Sequence, residues 1–447
     1  MASGRTSDMT TGNSLEKILM FALPLFIGTM FQQVYNLVDT VIAGHNLGDS
    51  AVAAIGATSA LYSVVLYFAV GLNSGYGIII ARLYGKKDIP KLKNAVATML
   101  MLNVGITILL TGMILPFLEK ILRLLDTPEE ILSQAHEYIF IIFAGLTATI
   151  LYNMCAGFLR AVGNSRTPLY FLIFSSGINA LLDWIFIAEL GMGVAGAAYA
   201  TLIATVVSAT AGLWYIIRNY SDFLPGFGDF EPDRGLVGEM LSTGLSMALM
   251  NSVFALGSII LQKAINALGT AIIAANTASR RIYEFLMMPL SNMAAATATF
   301  TSQNYGAGKT ERITAAVKKV LLITIAWSLF SAVLSLAAGK ALISMILGTT
   351  DSTVISNGYL NLTMSTLFFF PLGVLLVMRM SMQSIGYKVT PVISSTIELA
   401  IKIVSSLWYV PRFGYKAVTV TEPVTWVLCA VFLVCIYRAT YRKKLMI

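Results

Sequence analysis

Residues 16–41 read EKILMFALPLFIGTMFQQVYNLVDTV. They follow a polar tail, MASGRTSDMTTGN, and run apolar for longer than the roughly 20 residues that a membrane span needs. No small-residue cleavage site follows the start near Leu15, so the segment is a first span rather than a signal peptide. The rest of the 447-residue chain repeats the pattern. Apolar residues make up 57% and charged residues only 12%, against about 25% charged in an ordinary soluble domain. With a mean hydropathy of +0.77, the chain holds too few charges to cover a water-facing surface. Apolar segments at 16–41, 50–82, 94–117, 132–157, 168–188, 195–218, 237–263, 270–303, 313–338, 354–378, 389–409 and 416–438 give twelve spans. The expectation is an all-α polytopic membrane protein.

Orientation follows from the basic residues between spans. With the N-terminus inside, 21 of 30 Lys and Arg fall on the inner face, including Lys86–Lys93, Lys309–Lys319 and the Arg442–Lys444 tail. The outer face keeps six, and Arg280, Arg281 and Lys402 lie within spans. Both termini are therefore expected in the cytoplasm. The net charge of +8 belongs to these loops rather than to a nucleic-acid surface. Cys155, Cys429 and Cys435 read as lipid- or core-facing thiols, and His45 and His136 are too far apart for a metal site. No phosphate-loop, zinc-protease or serine-nucleophile motif is present, which argues against nucleotide-driven pumping and against an enzyme.

The chain repeats internally. Leu47-Gly48 and Tyr84-Gly85 return 221 residues later as Leu268-Gly269 and Tyr305-Gly306. Tyr138 with Tyr359 and Gly193 with Gly414 share that offset, while Thr167-Pro168 returns as Thr390-Pro391 at 223. The expectation is two six-span lobes, 1–218 and 237–447, joined by a cytoplasmic linker at 219–236. Because six is even, the lobes should be related by a pseudo-two-fold along the membrane normal, with the transport site between them.

Ionisable residues inside spans are costly and point to function. Gln32, Tyr35, Asn36 and Asp39 recur at three- and four-residue spacing on one face of span 1. Asn179 and Asp183 are four apart in span 5, Asp183 about 7.5 Å from its outer end, and Thr201 lies about 9 Å inside span 6. Two carboxylates, an amide and a hydroxyl at similar depth suit Na⁺, and two close carboxylates suit a proton. Both acids are read near helix C-termini, where the helix dipole disfavours them. In the second lobe Arg280, Arg281 and Glu284 of span 8 and Glu398 and Lys402 of span 11 form a charge network, with Glu284 or Glu398 as partner for Arg280. Its role is either structural or in gating. Glu422, before Pro423, reads as interfacial, and Pro24 reads as a hinge in span 1. The 21 Met and 23 Phe suit an adaptable cavity.

The runs PLFIGTMFQQVYNLVDTVIAGHNLG (24–48), ARLYGKKD (81–88), FLRAVGNSRTPLY (158–170), GMGVAGAAYAT (191–201) and TSQNYGAGK (301–309) resemble the multidrug and toxic compound extrusion (MATE) family of bacteria, over about residues 14–440. The resemblance implies twelve helices in two lobes forming a V, and export of organic, often cationic, drugs against inward Na⁺ or H⁺. Carried over, the family's cation site falls on Asp39, Asn179, Asp183 and Thr201, with Tyr138 and Pro24 matching less specifically. One branch of the family has a second-lobe site with acids in spans 7 and 10, and this sequence has none there apart from Glu239 at the inner end of span 7.

The reading is a multidrug antiporter in the bacterial inner membrane. It works by alternating access as a monomer on small organic cations, with Na⁺ or H⁺ as coupling ion and no other cofactor, ATP or nucleic acid. The alternatives are a lipid-linked saccharide flippase and, from another class, a passive channel or receptor.

Overall fold

A computed structural model describes residues 8–231 and 233–441, the side chains of Asn36, Leu37, Asp39, Thr40, Thr440 and Tyr441 excepted. The Arg442–Lys444 tail therefore lies outside the described residues. The described chain is helical throughout, without a strand. In order come α1 (Ser14–Lys86), α2 (Ile89–Ile114), α3 (Leu118–Leu124), α4 (Glu129–Ala144), α5 (Leu146–Ala161), α6 (Arg166–Asp183) and α7 (Gly193–Asn219). There follow α8 (Arg234–Asn266), α9 (Thr270–Gly306), α10 (Thr310–Leu347), α11 (Ser352–Leu367), α12 (Phe369–Ser384), α13 (Val389–Val404), α14 (Val410–Phe413) and α15 (Tyr415–Ile436).

Nine stretches among the described residues are long and apolar enough to cross a membrane, and two bent pairs bring the number to eleven. The twelfth expected span is α9, which has the length but carries Arg280, Arg281 and Glu284 and a polar second half. The long α1 holds two spans, Ser14–Tyr35 and Val41–Lys86, and its helical backbone is interrupted at Gly48, whose φ of 78° suits glycine.

Contacts divide the chain into two units. Unit 1 gathers Leu23–Ala248, and unit 2 gathers Met9–Ala22 with Leu249–Ile447. The division falls inside α8 and not in the polar stretch 219–236, because the start of α8 is held within unit 1. Gly71 and Gly75 of α1 let its backbone approach α8 so closely that a Cβ would meet Ala248 Cα at 2.5 Å and Gly244 Cα at 2.6 Å. Arg82 pairs with Glu239 beside this seam. The polar stretch itself folds into short turns at Ser221–Phe223 and Phe227–Phe230, and Asn94 donates to the carbonyls of Asp229 (3.1 Å) and Glu231 (2.9 Å). Unit 1 is otherwise filled by Leu118, Leu132, Ile139, Phe143, Leu146 and Ile150, all buried. In unit 2 the segment before α1 is pinned to α9, with Gln303 Oε1 accepting from Met9 N–H (3.1 Å) and Asn304 donating to Met9 carbonyl (3.0 Å).

The internal repeat is visible in helix geometry. The α4–α5 pair bends by 48° and the α11–α12 pair by 50°. Every bound of the second pair lies 223 residues after its counterpart, so Gly145 and Phe368 are corresponding pivots. This corrects one sequence echo: at that offset Tyr138 corresponds to Asn361 and not to Tyr359. Both α6 and α13 then widen into π-helical turns, Trp184–Glu189 and Ser405–Tyr409. Such turns carry an extra residue and favour functional sites.

Candidate functional site

In unit 1 the sequence of α6 puts Asn179 and Asp183 one helical turn apart, on the face turned away from its exposed Tyr170, Phe174 and Leu181. Both are buried, Asn179 at 1% exposure and Asp183 at 0%. With the amide oriented to satisfy its neighbours, Asn179 Nδ2 donates to Asp183 Oδ2 at 3.0 Å and to the Tyr35 hydroxyl at 2.9 Å. Its oxygen accepts from the Thr201 backbone N–H at 3.0 Å, and the Thr201 hydroxyl lies 3.5 Å from the amide. Three helices, α1, α6 and α7, thus meet on one amide, and a carboxylate is held in the interior at its side. The same two helices are stitched a little further along by Ser208 Oγ, which donates to Phe171 carbonyl at 3.1 Å.

Not every expected member joins this group. The side chains of Asp39 and Asn36 lie outside the described residues. Gln32 is exposed, and Tyr138 is half-buried against the Leu132–Ile150 cluster of unit 1. Pro24 sits buried within α1, where it removes one backbone hydrogen bond. The reading of both acids at helix C-termini is corrected. Helical backbone continues past Asp39 to Gly48 and past Asp183 through the π-helical turn, so the helix dipole does not set their cost. Their burial does.

The charges of unit 2 are arranged differently from the expected network. Arg280 Nε bonds Glu284 Oε1 at 2.7 Å within α9, and Arg281 is exposed. Glu398 instead faces α12, where Arg379 Nη2 lies 3.4 Å from its Oε2 and 2.6 Å from Ser394 Oγ. Lys402 Nζ lies 3.1 Å from Glu398 Oε1 and 3.1 Å from Glu422 Oε1, under the ring of Phe254 at 4.7 Å from its centroid. Glu422 is therefore a member of the buried cluster, which corrects its reading as interfacial. Three basic groups, Arg280, Arg379 and Lys402, stand against three acidic ones, Glu284, Glu398 and Glu422, and Arg280 lies within electrostatic reach of Glu422. Arg379, Glu398 and Lys402 are buried, and such desolvated charges are tolerable in an apolar interior when they are paired, whereas Arg280 and Glu284 are partly exposed. Sequence reasoning missed Arg379 because it follows the apolar segment 354–378 by one residue and was assigned to an inner loop. Its flanks, Val377, Met378 and Met382, are all buried.

The thiols of Cys155 and Cys429 are buried and free, and Cys435 is exposed and free. No cluster of His, Cys, Asp and Glu able to hold a metal occurs among the described residues.

The fold is shared with known proteins. A family model described as MatE matches residues 24–185 and 246–408. The probable multidrug resistance protein YpnP of Bacillus subtilis is 27% identical over 366 residues, covering 81% of each chain. The multidrug export protein MepA of Staphylococcus haemolyticus is 25% identical over 368 residues, covering 81% of this chain and 80% of its own. Among solved structures, a MATE protein in a bent conformation gives a TM-score of 0.89 at 24% identity, covering 98% of this chain and 99% of its own. An outward-facing multidrug resistance MATE family transporter gives 0.87 at 24% identity, covering 98% and 100%. One matched block falls in each half of the repeat, and the solved structures share the fold over 98% of this chain; the chain belongs to the MatE family of membrane transporters.

Proposed function

We propose that this protein is a secondary active multidrug exporter that moves small organic, cationic amphiphilic compounds outward while Na⁺ or H⁺ enters. Asp39, Asn179, Asp183 and Thr201 hold the coupling ion. The bilayer is that of a bacterial inner membrane, with both termini in the cytoplasm. The names of YpnP and MepA support the substrate class, and the excess of basic residues between alternate spans supports the orientation.

The observation that carries the reading is the Asp183–Asn179–Tyr35 chain of hydrogen bonds in the interior of unit 1. A carboxylate in that setting gains most from a small cation or a proton, since either removes the cost of burying its charge. Tyr35 belongs to α1, so occupancy of the site changes what α1 is bonded to. Pro24, three turns earlier on the same helix, leaves the carbonyl of Met20 without its helical partner and provides a place to bend. Ion binding that favours one form of α1 and drug binding that favours the other are then coupled, because each ligand shifts the population the other needs.

The test is ethidium transport by purified protein in liposomes, with Na⁺ and pH gradients imposed separately. Uphill movement driven by one gradient is expected and identifies the ion. Verified folded protein that moves ethidium under neither gradient would contradict the reading and favour a lipid-linked saccharide as cargo; ion conduction without exchange would favour a channel.

A further inference from the structure

The repeat extends to the two charged sites themselves. At the 223-residue offset between the starts of α6 and α13, whose ends are 221 apart, Asn179 corresponds to Lys402 and Phe171 to Ser394. At the 221-residue offset of Gly193 and Gly414, Thr201 corresponds to Glu422 and Ser208 to Cys429. The contacts agree with this register. Ser208 Oγ donates to Phe171 carbonyl at 3.1 Å in unit 1, and Cys429 Sγ donates to Ser394 carbonyl at 3.3 Å in unit 2. The Asn179 amide meets Thr201 at 3.0 Å from its N–H, and Lys402 Nζ meets Glu422 Oε1 at 3.1 Å. Two independent pairs of inter-helix contacts thus repeat at corresponding residues, although none of these residues is conserved between the halves.

We infer that the Lys402 ammonium is a tethered cation, standing in unit 2 where unit 1 takes its mobile ion. The inference rests on the ion-site reading of unit 1 and extends it, since it identifies the residue that confines ion exchange to one half of the molecule. The surroundings of Nζ are those of a monovalent cation. Two carboxylate oxygens lie at 3.1 Å, and an aromatic face lies opposite at 4.7 Å. Exposure is 0%. The stem has a prepared path: a Cβ at Gly257 of α8 would come within 2.9 Å of Lys402 Cδ, so glycine makes room for it. Glu422 Oε2 is buried without a hydrogen-bond partner among the described residues, which leaves an acceptor open beside the ammonium. The charged and titratable groups around the site are Glu398 on α13, Arg379 on α12, Arg280, Tyr283 and Glu284 on α9, and Cys429 on α15. Truncating Lys402 to alanine leaves this set one negative charge in excess, in a space the size of a propylammonium group.

The inference is tested by truncating the lysine and offering the cation back. Asp183→Asn removes the buried acid of the unit 1 site, and D183N alone, which keeps Asp39, is the control for any ion response left there. In D183N/K402A, the thermal midpoint should rise with methylammonium, and less with Na⁺ or K⁺, at constant ionic strength set by N-methylglucamine. At about a hundredfold excess over Kd the rise should be about 3 °C for a chain of this size. D183N alone should give a flat profile; a response there would count against the ion site of unit 1, not against the tethered cation. Protein that folds only when methylammonium is present throughout purification would also be the expected behaviour. K402M/D183N/E422Q, which lacks both members of the pair, should fold without responding. A flat midpoint in D183N/K402A, failure to recover it at any methylammonium concentration, or an equal response in K402M/D183N/E422Q would overturn the inference.

Discussion

Unit 1 and unit 2 place a nitrogen at corresponding depth on corresponding helices, yet the two nitrogens have opposite consequences. Asn179 is neutral, and in the proposed site the Asp183 carboxylate that accepts its hydrogen bond meets an ion that arrives and departs. Lys402 is charged and brings the partner with it, fixed by four methylenes to the backbone of α13. A site that carries its own countercharge is a structural element; one proposed to take a cation from solution is a switch. On the proposed reading, the same repeat supplies one half that responds to an ion gradient and one half that does not.

The largest expected effect comes from breaking the responsive half. Asp183→Asn should abolish gradient-driven ethidium export in liposomes while leaving the thermal midpoint at or above that of the wild type, because a buried charge has been replaced by an amide of the same shape. Asp39→Asn should do the same, because the proposed site includes Asp39, and wild-type transport rates in either variant would break the comparison. Next in size is the fixed half. Lys402→Ala leaves Glu422 without its ion-pair partner and should cost about 3–5 kcal/mol in denaturant unfolding without added amines, the range for removing one member of a buried pair.

Smaller effects sharpen the comparison. Asn179→Ala withdraws one hydrogen bond from a charged acceptor, worth about 1.5–3 kcal/mol, and should raise the ion concentration for half-maximal transport by at least about tenfold. Tyr35→Phe removes a neutral bond worth about 1 kcal/mol and should shift the same midpoint by about fivefold. Smallest are Ser208→Ala and Cys429→Ala, at the stitches between α6 and α7 and between α13 and α15. Each should cost about 1 kcal/mol or less and leave the ion dependence of transport unchanged.

How much of this was legible in the sequence depended on range. The α6 pair was, because residues four apart share a helix face whatever surrounds them, and so were the Arg280–Glu284 and Glu398–Lys402 pairs. The meeting of Tyr35 with Asn179 was not, since it depends on how α1 packs on α6, although both residues had been singled out. Arg379 was lost to a span boundary, which hydropathy places only to within a few residues. Glu422 was misread because a proline near a span end looks like an interface, whereas Pro423 is buried inside α15. The π-helical turns at Trp184 and Ser405 had no signature at all, since no proline or glycine marks them. The repeat was visible at the level of paired motifs, but its register within α4 and α11 needed the helix bounds.

The most direct test counts exchangeable ions per folded chain, using radiolabelled Na⁺ at fixed pH and proton uptake on acidification, for wild type and D183N. The account predicts saturable binding of the coupling ion in the wild type and its loss in D183N, with Lys402 intact in both. Binding of the same ion in D183N with unchanged affinity would contradict it, because the exchangeable site would then lie outside the Asp183–Asn179 group.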